Sequence, residues 1–119
     1  LQAGELLSQV QELAGRKTLI KTVQGMDAKA LRNLHDGVKS KLENAVIVLA
    51  GVEGDKVSLI ASVAKDFTAS IKAGDIIKHL ATELGGKGGG KPDLAQGGAP
   101  LNENFASVMA GLTAWLAAK

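Results

Sequence analysis

Lys87 and Lys91 stand four residues apart in Gly85-Gly86-Lys87-Gly88-Gly89-Gly90-Lys91-Pro92-Asp93-Leu94-Ala95-Gln96-Gly97-Gly98, fourteen residues that hold seven of the chain's fifteen glycines. Two ammonium groups among residues without a Cβ suit the cradling of an anion. Glycine exposes its backbone N–H, and successive amides converge into a nest where φ is positive. Lys87 and Lys91 are the candidates for phosphate contacts, supported by the amides of Gly88, Gly89 and Gly90. Gln96 would reach a sugar or a base edge, although Gln96 and Asp93 serve equally well to hydrogen-bond the loop to itself. Lys78 and His79 precede the loop and would flank the same surface, His79 as a solvated or capping imidazole.

Three phosphate-binding patterns separate on spacing. Gly85-x4-Gly90-Lys91 matches the first part of a nucleotide-binding P-loop, but Pro92 stands where the magnesium-binding Ser or Thr belongs, and a helix rather than a strand precedes it. No Gly-x-Gly-x-x-Gly occurs in the stretch, which removes a dinucleotide fingerprint. A flexible linker would carry Ser and polar filler where Lys-Pro-Asp-Leu-Ala-Gln stands. That leaves a cradle of another type, or glycines that let a strand edge pass close to a helix.

The elements that must position this segment follow from periodicity. Leu6, Val10 and Leu13 at i, i+4 and i+7 predict a short amphipathic helix over 1–14 that stops at Gly15. A helix of that length needs a partner, which would be its own domain, a preceding domain or a second copy. Thr18 to Val23 is β-branched and predicts a strand. Asp27 is placed to cap a helix whose Leu31, Leu34, Val38 and Leu42 face inward, while Lys29, Arg32, Lys39 and Lys41 form a solvated face. Gly37 within it marks either a close approach or a tolerated loss of propensity. The unbroken apolar run Ala45 to Ala50 predicts a strand buried on both faces, joined by a turn to an antiparallel strand over 57–64. A helix over 73–84 turns Ile76, Ile77, Leu80 and Leu84 inward and Lys72, Lys78 and Glu83 outward, ending at Gly85. After Pro100, Asn102 precedes a last helix with Phe105, Val108, Met109, Leu112, Trp115 and Leu116 as its apolar face. Trp115 reads as core, and His35 has no partner at metal-ligand spacing. The fold class is α/β: a short central sheet flanked by helices over 16–119, preceded by a helix over 1–15, with 85–98 as a glycine-rich loop.

Composition narrows the function classes without choosing among them. With 119 residues and 45% hydrophobic content there is material for one core, and 22% charged residues is ordinary for a folded domain. No cysteine is present, which removes disulfides, thiolate metal sites and cysteine nucleophiles. Fourteen basic against twelve acidic residues leave a net charge of +2, so a polyanion would be attracted by local clustering only. Aromatics at 3% argue against binding single strands by stacking bases on aromatic platforms, so any RNA contact would be to shape and phosphate. There is no run of roughly 20 apolar residues to span a bilayer. The start at Leu1 and the absence of a signal sequence predict a piece of a longer cytoplasmic protein.

The string Gly-Gly-Lys-Gly-Gly-Gly-Lys-Pro-Asp-Leu-Ala-Gln-Gly-Gly resembles the signature of the DHH-associated domain as it occurs at the C-terminus of alanyl-tRNA synthetases. The likeness in element order extends from Thr18 to Lys119, with 1–14 matching the helix that precedes the globular part in that family. Lys91 stands where the family often has Arg, which would replace a bidentate contact with a point charge. The resemblance implies a tRNA-binding domain that grips the elbow of tRNA(Ala) by shape and phosphate and helps link aminoacylation with editing. Lys78, Lys87, Gly88, Gly89, Gly90, Lys91 and Gln96 would be the RNA-binding set. It implies no catalytic residue, metal or cofactor within these residues. ATP, magnesium and zinc would be used by upstream catalytic and editing domains of the same chain, and residues 1–14 would support a homo-oligomer. The competing readings are the substrate-binding lobe of a DHH-type phosphoesterase acting on oligonucleotides, and an oligomerisation module.

Overall fold

The computed structural model describes residues 2–119. Its centre is β3 (Ala45–Glu53), buried from Ala45 to Val52. Side chains alternate across a strand, so Val46, Val48, Ala50 and Val52 enter one core, while Ala45, Ile47 and Leu49 enter another. A core on each side explains why the run is apolar without alternation.

The strands β1 (Gln11–Leu13), β2 (Arg16–Gln24), β3, β4 (Lys56–Val63), β5 (Lys87–Gly90) and β6 (Leu94–Pro100) form one sheet in the order β1-β2-β3-β4-β6-β5. Only β2 and β3 are parallel, with Thr18 opposite Val46 and Thr22 opposite Ala50. Their crossover is α2 (Ala28–Lys41), where the Asp27 Oδ1 cap accepts from Ala30 N–H at 2.9 Å. It lays Leu31, Leu34 and Val38 on one face of the sheet. The other face is covered by α3 (Ala73–Leu84) and α4 (Phe105–Ala117). Gly85 ends α3 in the left-handed conformation, φ 77°, and Gly86 N–H returns to Ala81 C=O at 2.7 Å.

Two expectations are corrected here. The helix over 1–14 shrinks to α1 (Ala3–Leu6) and a 3-10 turn at Leu7–Gln9, and residues 11–13 form the edge strand β1. Ala14 (φ 53°) and Gly15 (φ 78°) make the tight hairpin turn to β2, so a boundary at residue 15 would cut through a hairpin. Pairing with β2 satisfies backbone groups that an isolated two-turn helix would leave partly open. Leu6 is fully buried in the α2-side core and Val10 packs against it, so these two residues of the apolar stripe serve this domain's own interior. Gly37 is there for close approach, since a Cβ on it would meet the Ala3 Cβ at 3.0 Å.

The second correction concerns 85–98, which is a β-hairpin and not a loop, turning at 91–93. In that stretch only Gly85 and Gly90 have positive φ, so no run of glycines forms an amide nest. The glycines serve close packing. A Cβ on Gly88 or Gly97 would lie 2.7 or 2.8 Å from the Ile77 Cγ2 of α3. Within α3, a Cβ on Gly74 would lie 2.8 Å from the Gly90 carbonyl oxygen.

Candidate nucleic-acid interface

The hairpin is fastened to the start of α3 through its turn. Ala73 N–H donates to Pro92 C=O at 2.7 Å and Gly74 N–H to Lys91 C=O at 3.1 Å. Two first-turn amides of α3 are therefore taken, and an anion docking here must rely on side chains. They stand nearby. Lys72, Asp75 and Lys78 follow one another at i, i+3 and i+6, which places them on one face of α3. With Lys91 and the backbone of Gly88, Gly89 and Gly90 they line a groove of about 230 Å³. Three lysines and one aspartate line it, and among the described residues none of the three lysines has a salt-bridge partner. This is a basic, glycine-floored slot able to hold phosphate oxygens by charge and shape.

The expected set divides. Lys78, Gly88, Gly89, Gly90 and Lys91 meet in this groove, while Gln96 is on the opposite side of the hairpin. There it borders a second groove with Arg32 and Lys91, so that Lys91 reaches both grooves. Lys87 lines neither; it pairs with Gly98 at the far end of β5. At about 3.3 Å per residue its Cα is roughly 13 Å from that of Lys91. Lys72, outward-facing by its helical position, joins the groove as well, and its spacing through Asp75 to Lys78 is the signal that marks it.

The α2 side differs in electrostatics. Arg32 Nε donates to Asp36 Oδ1 at 3.3 Å, so its charge is partly matched. Asp36 Oδ1 also lies 3.0 Å from Nδ1 of His35, and His35 Nε2 lies 2.7 Å from the Ser62 Oγ of β4. Burial pushes the His35 pKa below its ordinary value, against the raising pull of the hydrogen bond to Asp36. The neutral ring then donates from Nδ1 to the carboxylate and accepts the Ser62 hydroxyl at Nε2. Hydrogen bonding to His35, reinforced by Arg32, holds the Asp36 carboxyl below its own ordinary value. Serine, histidine and aspartate here share the order of a hydrolytic triad, but Ser62 is 3% exposed and His35 1%, so the hydroxyl has no substrate to reach. The network pins α2 to β4, whose Ser62 sits opposite Leu94 at the start of β6.

Trp115 departs from its expected core role. It is half-buried at the edge of the α3–α4 core, stacked on His79 with ring centroids 4.4 Å apart and planes 8° apart. Among the described residues no group of three or more His, Asp or Glu is placed to hold a metal, and no helix is long and apolar enough to cross a membrane.

A small domain with helices on both faces of a mixed sheet, and a glycine hairpin locked to one of them under a basic groove, is the class these features define. The family model described as the DHHA1 domain matches residues 15–118, and the chain belongs to that family. It is 57% identical over 116 residues to the alanine–tRNA ligase of Psychrobacter cryohalolentis, covering 98% of this chain and 13% of that enzyme. Identity to the alanine–tRNA ligase of Saccharophagus degradans is 47% over 113 residues, covering 95% of this chain and again 13% of the relative. The chain thus spans about an eighth of the length of these curated relatives. Among solved structures it is similar to the C-Ala domain of Aquifex aeolicus alanyl-tRNA synthetase, with a TM-score of 0.78 and 26% identity over 91% of this chain and 97% of that one. A DHH-domain protein described as a member of a family of ribosomal proteins shares the fold, with a TM-score of 0.58 at 16% identity over 94% of this chain and 28% of that one.

Proposed function

We propose that this domain is the tRNA-binding C-terminal domain of an alanine–tRNA ligase, holding the elbow of tRNA(Ala) by shape and phosphate and helping one tRNA serve both aminoacylation and editing. The observation that carries this reading is the joint occurrence of 57% identity to a stretch of an alanine–tRNA ligase, over 98% of this chain, with an unpaired basic groove at the glycine hairpin. Lys72, Lys78 and Lys91 supply the phosphate contacts, and the backbone of Gly88, Gly89 and Gly90 lets the RNA approach closely. Gln96 meets sugar or base edges from the other side of the hairpin, and Lys87 adds long-range attraction.

The adenylating and editing chemistry belongs to other domains of such an enzyme. The residues here do not fit ATP or its metals: Pro92 replaces the hydroxyl that would follow a P-loop lysine, and no metal-ligating cluster stands among the described residues. A phosphoesterase lobe has only the fold-level likeness on its side. An oligomerisation module loses part of its motive with Leu6 inside the core and Val10 packed against it.

The test is a binding titration of the 119-residue chain with folded tRNA(Ala) and with an unstructured RNA of equal length. Preference for the folded tRNA is expected. Equal binding to the two, or binding to neither, overturns the reading.

A further inference from the structure

Trp115 is the chain's one tryptophan and separates two surface grooves. On one side it borders His79, Glu83 and Val108; on the other it borders Lys119, Lys72 and Asp75. The ammonium of Lys119 lies 4.5 Å from the indole centroid. His79 lines only the first groove and Lys119 only the second, so the imidazole backs one face of the indole while a flexible four-carbon side chain rests over the other. An indole braced behind by a parallel ring and covered in front by a displaceable cation is built to stack on a flat partner.

The second groove holds about 350 Å³, and Lys72 and Asp75 line both it and the phosphate groove at the hairpin. The surface is thus continuous from Lys91 through Lys72 to Trp115. A chain of phosphates lying over the lysines would bring an attached base over the indole.

We propose that Trp115 is a stacking platform for one unpaired nucleobase of the RNA held in the lysine groove. Lys119 moves off the ring to meet the adjoining phosphate, and the Asp75 carboxylate accepts from an exocyclic amine or a 2'-hydroxyl. His79 positions the indole and does not touch the base. This goes beyond contact by phosphate and shape, and it rests on the tRNA-binding reading. A single platform is compatible with an aromatic-poor composition, because lysines supply the affinity and the ring supplies a point of register.

With no other tryptophan and no tyrosine, intrinsic emission reports on this ring alone. Folded tRNA(Ala) is titrated while binding is followed separately by the anisotropy of a label on the RNA. The proposal expects Trp115 emission to be quenched along the same isotherm, and heparin, a polyanion without bases, to occupy the lysines without quenching. Trp115→Leu is expected to weaken tRNA binding by roughly 5- to 150-fold and Trp115→Phe by much less, the range that loss of one base–aromatic stack implies. Binding by anisotropy with unchanged emission, equal quenching by heparin, or wild-type affinity in Trp115→Leu overturns the platform while leaving the tRNA-binding reading intact. Absence of binding by anisotropy overturns that reading instead. Emission is measured on the unaltered chain, so the quenching and heparin results do not depend on how well a variant folds.

Discussion

Two helices of this domain carry lysine and arginine on their outer faces, and their surroundings make them different objects. On α2, Arg32 is matched by Asp36, and that carboxylate is itself bound to a histidine buried against β4. On α3, Lys72 and Lys78 have no salt-bridge partner among the described residues and look across a glycine-floored groove at Lys91. Arg32 is tied into the structure, whereas Lys29, Lys39 and Lys41 of α2 are as free of salt bridges among the described residues as Lys72 and Lys78; the lysines of the two sides differ in what faces them. What separates them is the hairpin, which brings a third lysine and bare backbone to α3, and the carboxylate network that engages α2. Charge on a helix face therefore says little until the element facing it is known.

The sharpest way to break this comparison is to neutralise each face in turn. Replacing Lys72, Lys78 and Lys91 with Ala is expected to weaken tRNA binding roughly 100-fold at low salt, at about 1 kcal/mol per charged contact. Replacing Lys29 and Lys39 of α2 should change affinity less than about 3-fold, within the scatter of exposed charges. Equal losses from the two sets, measured by anisotropy, would erase the distinction between the faces.

A packing change sharpens the role of the hairpin. Gly88→Ala drives a methyl into the Gly97 backbone at 2.6 Å and into Ile77 Cγ2 at 2.7 Å. Overpacking of this kind costs about 1–3 kcal/mol and should displace the hairpin from α3. The denaturation midpoint should fall, and tRNA affinity should fall with it. Gly89→Ala, where a Cβ meets nothing within 4 Å, serves as the control for the stability readout. A Gly88→Ala protein as stable as its parent would show that close contact with Ile77 is not what glycine is for here.

The smallest expected effect is the pH dependence of the α2 side. The pKa of His35 is lower in the folded chain than its ordinary 6.5, so the unfolded chain takes up a proton first as pH falls. Stability from the neutral ring is complete above about pH 6.5 and declines as pH drops from there through the depressed folded value. His35→Gln keeps a neutral polar side chain without that titration. Its unfolding free energy should vary less with pH just below about 6.5 than that of the parent, although it is lower at neutral pH. Parallel pH profiles for the two proteins would show that His35 does not titrate with unfolding.

Much of the architecture could be read from local pattern. α2, β3 and α3 emerge within a few residues because an Asp cap, an apolar run and a terminal Gly85 are local marks. Residues 11–13 could not be placed that way: Leu6, Val10 and Leu13 fit a helical period, and the partner that makes a strand of them is β2 beyond the Ala14-Gly15 turn. Glycine has no side chain to alternate, so Lys87–Gly90 carries no strand pattern and reads as a loop until its pairing with β6 is known. The lining of the candidate groove was half readable. Lys78, Lys91 and three glycines converge as expected; Lys72 was marked only by its helical spacing; and Lys87 lies off the groove because a strand holds it there. The His35–Ser62 contact spans 27 residues and two elements, which no local spacing encodes.

The most direct test of the central claim, that the lysines of α3 and the hairpin hold RNA phosphate, is the slope of log affinity against log salt concentration for folded tRNA(Ala). It is measured for the unaltered chain and for the variant with Lys72, Lys78 and Lys91 replaced by Ala. Each phosphate contact contributes about one unit to that slope, so the variant should be shallower by about two to three units. Parallel lines for the two proteins would contradict the claim.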